Sequence, residues 1–445
     1  MPDLVIRGGT AVLPTHIGPA DLVLDAGTIR DLLPPGAPVA DAATTLDATD
    51  CLVLPGGIDA HVHFRTPGLT HKEDWVHAST AAVAGGITTV LDMPNTIPAT
   101  ADGDRLTAKA ALIAGRSRCH YALYGALAAD NLEALPGLAE AGAIGFKVFL
   151  GETTASLPPP DDGQLLRAWR RTAALGLRTM VHAENAALLA AAWADLSAAA
   201  GAVPRDLTAH GRARPPLAEA EAVARACLLA GAAAAPIAIA HLSTAAGAAA
   251  VRAAKGEGVD VRGETCPHYL ALTEAEALAL GALAKVNPPL RAAADREALW
   301  RAVADGTIDS VGSDHAPHAD AEKGVPDLLA APSGFAGVQN TLGVLWGAPR
   351  LPLRRLVELL CEGPARAWGL WPRRGRLGVG AVADIAVVRP RAPSAPPRQW
   401  SLHPDGPLLR LRPPQAEVVA TIVAGRVAFR DGAPVGEAQG GWLRP

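Results

Sequence analysis

Six residues of this 445-residue sequence could do chemistry together, because each closes an apolar run. His61 and His63 end "CLVLPGGIDAHVHFR", one residue apart. Successive side chains on a strand point to opposite faces, so the two imidazoles share a face and Val62 takes the other. Lys147 follows "AIGF", His182 follows "LRTMV", His241 follows "PIAIA" and Asp314 follows "IDSVGS". An imidazole pair alone is equally a polar strand cap. Four imidazoles and a carboxylate on one rim make a metal-binding set, and ligands without thiolate suit Zn²⁺ or a similar divalent ion.

Lys147, inside "GFKVF", is expected to be buried, and an unpaired buried ammonium is costly or loses its proton. Two readings stay open on the residues alone. One is a buried lysine–carboxylate pair. The other is a neutral amine that takes up CO₂ as a carbamate, turning a cation into a two-oxygen anion able to bridge two metals.

The elements that must position these groups are strand-like runs separated by alanine- and leucine-rich helical stretches. The runs are "LVLPGGIDAHVHF", "GITTVLDMPN", "HYALYGAL", "AIGFKVFL", "LRTMVHAEN", "PIAIAHLS", "VDVRGETCPH" and "IDSVGSDHAPH". Eight strand–helix units predict an α/β fold, a parallel (β/α)8 TIM barrel spanning 53–374, with functional groups at the C-terminal strand ends. The alternating segments at the two ends, 1–52 and 375–445, predict one small β-sandwich assembled from both termini.

The bulk numbers exclude other classes. Hydrophobic residues make up 49% and charged residues 19%, which describes a compact globular chain, and a net charge of −4 offers no field for nucleic acid. Cys51, Cys119, Cys227, Cys266 and Cys361 lack CxxC spacing, which argues against a disulfide framework and fits a reducing cytoplasm. "MPDLVIRGGTAVLP" alternates like a strand and is not a signal peptide. No apolar run is long and uninterrupted enough to span a bilayer, so no membrane is expected as a partner.

"PGGIDAHVHFRTPGLTHKEDW", "DMPNTIPAT", "ETCPHYLALT", "KVNPPLR" and "DGTIDSVGSDHAPH" together resemble dihydroorotase, in the cyclic amidohydrolase branch of the amidohydrolase superfamily. The tail "GPARAWGLWPRRGRLGVGAVADIAVV" resembles that branch's return to its small β-domain. "ETCPHYL" and "LDMPN" also resemble allantoinase. The resemblance implies a binuclear zinc centre: His61, His63 and Asp314 on the more buried ion, His182 and His241 on the other. Lys147, as N6-carboxylated lysine, would bridge the two with a hydroxide. It also implies Asp314 as the catalytic proton carrier and a reversible ring closure of N-carbamoyl-L-aspartate to L-dihydroorotate in pyrimidine biosynthesis. A homodimer or homotetramer, and association with aspartate transcarbamoylase, are family-level expectations.

On the substrate side, Arg65 follows His63 by two residues, shares its face and could grip a carboxylate through two parallel hydrogen bonds. The resemblance implies carboxylate contacts from Asn95 and His318 as well, and a ring contact from Asn287. Each has a plainer reading: a surface ion pair for Arg65, turn residues for Asn95 and Asn287, a loop histidine for His318. An allantoinase or hydantoinase, whose substrate lacks that carboxylate, is not expected to keep both Arg65 and His318. His71, His268 and His315 read as structural, and Thr153 reads as a turn residue. The alternatives are an allantoinase or a hydantoinase/dihydropyrimidinase-type hydrolase. Others are a non-catalytic subunit scaffolding aspartate transcarbamoylase, expected to have lost ligands, and a mononuclear deaminase, in which Lys147 would have no metal to bridge.

Overall fold

The structure is a computed structural model that describes all residues except 1, 40–43, 152–156, 199–205, 347, 349–350, 392–394 and 396. Its central sheet has eight parallel strands: β1 (Gly57–Val62), β2 (Ile87–Asp92), β3 (His120–Leu127), β4 (Gly145–Phe149), β5 (Thr179–His182), β6 (Ile237–Ile239), β7 (Val261–Thr265) and β8 (Ile308–Val311). Each pairs with its sequence neighbour, as right-handed crossovers require. The ring closes through a bridge between Val62 and His315, where the His63 amide donates to the His315 carbonyl at 2.8 Å. This is a TIM barrel.

The apolar run ahead of His61 reads as one strand but is two. Leu52–Pro55 pairs with Thr10–Val12 and Ile385–Arg389 in a seven-stranded sheet, and β1 starts only after a break at Gly56. That break needs glycine, since a Cβ there would lie 2.2 Å from the Thr88 hydroxyl. The seven-stranded sheet and a four-stranded one (Leu4–Arg7, Asp21–Asp25, Thr28–Leu33 and Thr45–Asp47) enclose a second core of Ile6, Leu22, Ile29, Val53, Ile385 and Ile422. Both ends of the chain contribute to it.

Below the mouth, Ile58, Leu91, Tyr124 and Met180 fill the barrel with apolar packing, and the Tyr124 hydroxyl donates to the Ala60 carbonyl at 2.9 Å. Outside the strands, the helices bury the largest core cluster, including Trp75 and Trp169. This packing closes the barrel below the mouth, where the functional groups of such a fold sit. All five cysteines are buried and free. Among the described residues, no helix is long and apolar enough to cross a membrane.

Candidate metal centre and its cavity

The structure brings all six candidate ligands to one cavity of about 340 Å³ at the C-terminal mouth of the barrel. His61 lies within β1, Lys147 within β4, and His182 ends β5. The other three sit past their strands. His63 follows β1 directly, while His241 and Asp314 lie beyond β6 and β8 with φ of 39° and 48°. A left-handed backbone at a non-glycine residue costs on the order of 1–3 kcal/mol and persists where surrounding structure enforces it. Here it turns each side chain back over the mouth, an aim that strand alternation does not foretell. Arg65 has the same conformation, with φ of 60°.

Asp314 Oδ1 lies 3.3 Å from His61 Nε2 and 3.2 Å from His63 Nε2, so one atom from each residue can meet a single cation. Across the cavity, His182 Nδ1 faces His241 Nε2 at 2.9 Å. Three of the four rings are fixed from behind. His61 Nδ1 is 2.8 Å from Glu264 Oε1, His63 Nδ1 is 2.9 Å from Asn95 Oδ1, and His182 Nε2 is 3.0 Å from Glu184 Oε2. Each outward nitrogen therefore carries the proton, and each inward nitrogen presents a lone pair. With the inward nitrogen of His182 open, the 2.9 Å contact needs either a proton on His241 Nε2 or a cation between the two rings.

Protonation agrees with this geometry. Burial holds all four imidazoles below their usual pKa, so they are neutral, as metal ligands must be. Lys147 is fully buried, its Nζ has no hydrogen-bond partner among the described residues, and burial pulls its pKa from 10.5 to about 8 despite Asp314 and Glu264 nearby. The paired-lysine reading fails at hydrogen-bond range. A buried amine without a partner among the described residues, beside four neutral imidazoles and the Asp314 carboxylate, suits a divalent-metal centre.

The second layer was only partly legible. Glu184 stands two residues after His182, accepts from Arg214 Nε at 3.1 Å and pairs with Arg214 Nη2. Burial raises its pKa, yet the Arg214 charge and the His182 hydrogen bond hold it well below the usual carboxylate range. Glu264 is a carboxylate in the middle of buried β7, and burial pushes it up. Gly312 makes room for it, since a Cβ there would lie 2.7 Å from its Oε2. A charged residue inside an apolar strand is the signal that singled out Lys147, and it would have found Glu264 too.

Arg65, Asn95 and Asn287 line the cavity, and His318 does not. His318 Nδ1 accepts from Lys72 Nζ at 3.0 Å, and Nε2 lies 3.0 Å from the Ser333 carbonyl and 3.1 Å from Arg65 Nη2. Burial and the charges of Arg65 and Lys72 keep the ring neutral. Both ring nitrogens are thus engaged within the protein, and Arg65 Nε donates to the Pro317 carbonyl at 3.3 Å. His315 Nδ1 accepts from the Gly337 amide at 3.1 Å, His268 is fully buried, and His71 is exposed. Thr153 lies outside the described residues.

Comparison with known proteins places this geometry. Residues 52–428 match the Amidohydrolase family, and the chain belongs to that family. The allantoinase of Rubrobacter xylanophilus is 37% identical over 455 residues, covering 100% of this chain and 98% of its own length. Three further allantoinases match at 36% to 38% identity. A dihydroorotase of Halobacterium salinarum is 39% identical, over 83% of this chain and 86% of its own length. Among solved structures, the L-hydantoinase of Arthrobacter aurescens superposes with a TM-score of 0.94 at 31% identity, covering 100% of both chains.

The dihydroorotase expectation is corrected by these relatives. They favour the allantoinase and hydantoinase side of the family, and with it the assignment to pyrimidine biosynthesis falls. The physical reason lies in the Arg65–His318 pair. It was read as a carboxylate grip, but His318 faces Lys72 and the Ser333 carbonyl rather than the cavity. Its presence therefore carries no information about a substrate carboxylate.

Proposed function

We propose that this chain hydrolyses cyclic ureides of the allantoin type, opening the ring at an amide bond through a centre of two divalent metal ions, zinc by ligand chemistry. His61, His63 and Asp314 would hold one ion and His182 and His241 the other. Lys147, N6-carboxylated by CO₂ with release of a proton, would supply an oxygen to each. The observation that carries this reading is Lys147 Nζ, buried without a partner among the described residues, in a cavity shared with four neutral imidazoles. The allantoinases that run the length of the chain support the choice of ring.

The ions, when bound, would supply hydroxide near neutral pH and polarise the ring carbonyl. The chain's own residues do the rest. Asp314 takes the proton of the attacking oxygen on its carboxylate and hands it to the amide nitrogen as the ring C–N bond breaks. Glu264, Asn95 and Glu184 hold three imidazoles in one tautomer and orientation throughout. Asn287 faces the cavity with its Oδ1 unpartnered, so it can accept from a ring N–H.

Side-by-side kcat/KM values for allantoin, hydantoin and dihydrouracil on zinc-loaded protein test this. Allantoin should lead by about a hundredfold, because rejecting a ring that leaves buried polar groups unpaired is costly. Failure to open allantoin at full metal occupancy would overturn the assignment. A lead for hydantoin would move it to the hydantoinase side, which the Arthrobacter structure favours.

A further inference from the structure

A second chamber, of about 480 Å³, adjoins the metal-site cavity, and Arg214, Asn287 and Ser333 line both. Sites for small organic molecules run from about 300 to 1,000 Å³, so the first cavity alone accommodates a ring. The second offers room that the ring does not use. Its apolar wall comes from Leu189 and Trp193 of the helix Ala186–Ala198 and from Leu329. Trp193 is 44% exposed, so part of its ring is open to a ligand in the chamber.

The polar side of the chamber carries Lys285 and Arg214, the charge of the latter balanced by Glu184. Lys285 Nζ is fixed by the Leu329 and Ala331 carbonyls at 2.8 and 2.6 Å, and Arg214 is fixed by Glu184. No carboxylate lines the chamber among the described residues. Such a lining accepts an apolar or planar stem with a carbonyl or anionic end, and it repels a cation.

We infer that this chamber receives the substituent on the ring carbon of the cyclic ureide, and that it selects apolar stems with neutral-acceptor or anionic ends over cationic ones. The inference rests on the ring being hydrolysed at the metal site, and it deepens that reading by naming the substrate class. The ureido tail of allantoin, planar and carbonyl-bearing, is one member. Larger aryl or carboxyalkyl substituents also fit the volume.

The test uses zinc-loaded full-length protein and hydantoins carrying methyl, benzyl, 2-carboxyethyl or 2-aminoethyl at the same ring carbon. Carboxyethyl and benzyl should exceed aminoethyl in kcat/KM by about tenfold or more, the range that one mismatched group produces. Trp193→Ala should lower the benzyl-to-methyl ratio about tenfold, and Ala190→Trp, which fills the chamber, should lower both large-substituent ratios. Ratios within one variant cancel any general loss of folded enzyme. Equal ratios in wild type and both variants would overturn the inference. If no ring is opened at all, the proposed function fails. Calorimetric affinities of the same compounds for zinc-loaded protein then read the chamber separately: the same order supports it, and equal affinities overturn it.

Discussion

Histidines of the cavity wall and of the layer behind it look alike in the sequence and behave differently in the fold. On the ligand wall, His61, His63 and His182 each give their outward nitrogen to Glu264, Asn95 or Glu184 and keep the inward one open. Behind the cavity lining, His318 has both nitrogens engaged, by Lys72 and by the Ser333 carbonyl. The residue type is the same. What separates a ligand from a brace is which nitrogen its neighbours leave free.

The strongest way to break this contrast is to remove the carboxylate that serves the ligand wall. Asp314→Asn should lower kcat by about 10³-fold or more, since proton transfer by a placed carboxylate contributes 10²- to 10⁴-fold and a ligand is weakened as well. Steady-state hydrolysis at saturating zinc measures it. An effect under tenfold would move the proton carrier elsewhere.

The next effect tests the backing residues. Glu264→Leu and Glu184→Leu should each weaken metal affinity by about 10- to 100-fold, the usual result of losing a hydrogen bond behind a histidine ligand. Competition with a chromophoric chelator reads this without reference to turnover. Glu264→Gln, which still accepts from His61 Nδ1, should recover most of the affinity.

The brace layer should respond in stability. His318→Ala removes the ring that joins the Ser333 carbonyl to Lys72, which keeps Glu322, at about 1–3 kcal/mol, read from urea unfolding. Metal affinity should stay at the wild-type value.

A smaller and broader effect concerns pH. Burial lowers His210 from 6.5 to about 3 and His268 to about 4, and it keeps His318 neutral as well. Below pH 6.5 the unfolded chain binds protons that the folded chain refuses. Each such group therefore contributes stability that is fully present above pH 6.5 and is lost as pH falls toward the folded value. The loss is at most about 1.4 kcal/mol per pH unit per group. Urea midpoints measured from pH 7 down to pH 5 should fall, and a flat profile would show these rings already titrating in the fold.

The barrel was legible because its eight apolar runs alternate with helical stretches, and the six ligands because each ends or follows such a run. The break at Gly56 was not legible, since residues 52–58 are apolar throughout and only the approach of Thr88 divides them. The left-handed turns at His241 and Asp314 were hidden for the same reason: tertiary contacts impose them, not local pattern. Substrate identity was misread because Arg65 and His318 stand at the right places in the chain, and only coordinates show His318 turned into the wall. Glu184 and Glu264 went unread although both stand in or beside buried strands, where a carboxylate needs a partner.

Zinc content by mass spectrometry, after loading in bicarbonate and removal of free metal, tests the central claim most directly. Two ions per chain are expected in the wild type, falling to one in Lys147→Ala, where His61, His63 and Asp314 remain. A wild-type chain that holds at most one ion, or a Lys147→Ala chain that still holds two, would contradict a centre built on a carboxylated lysine.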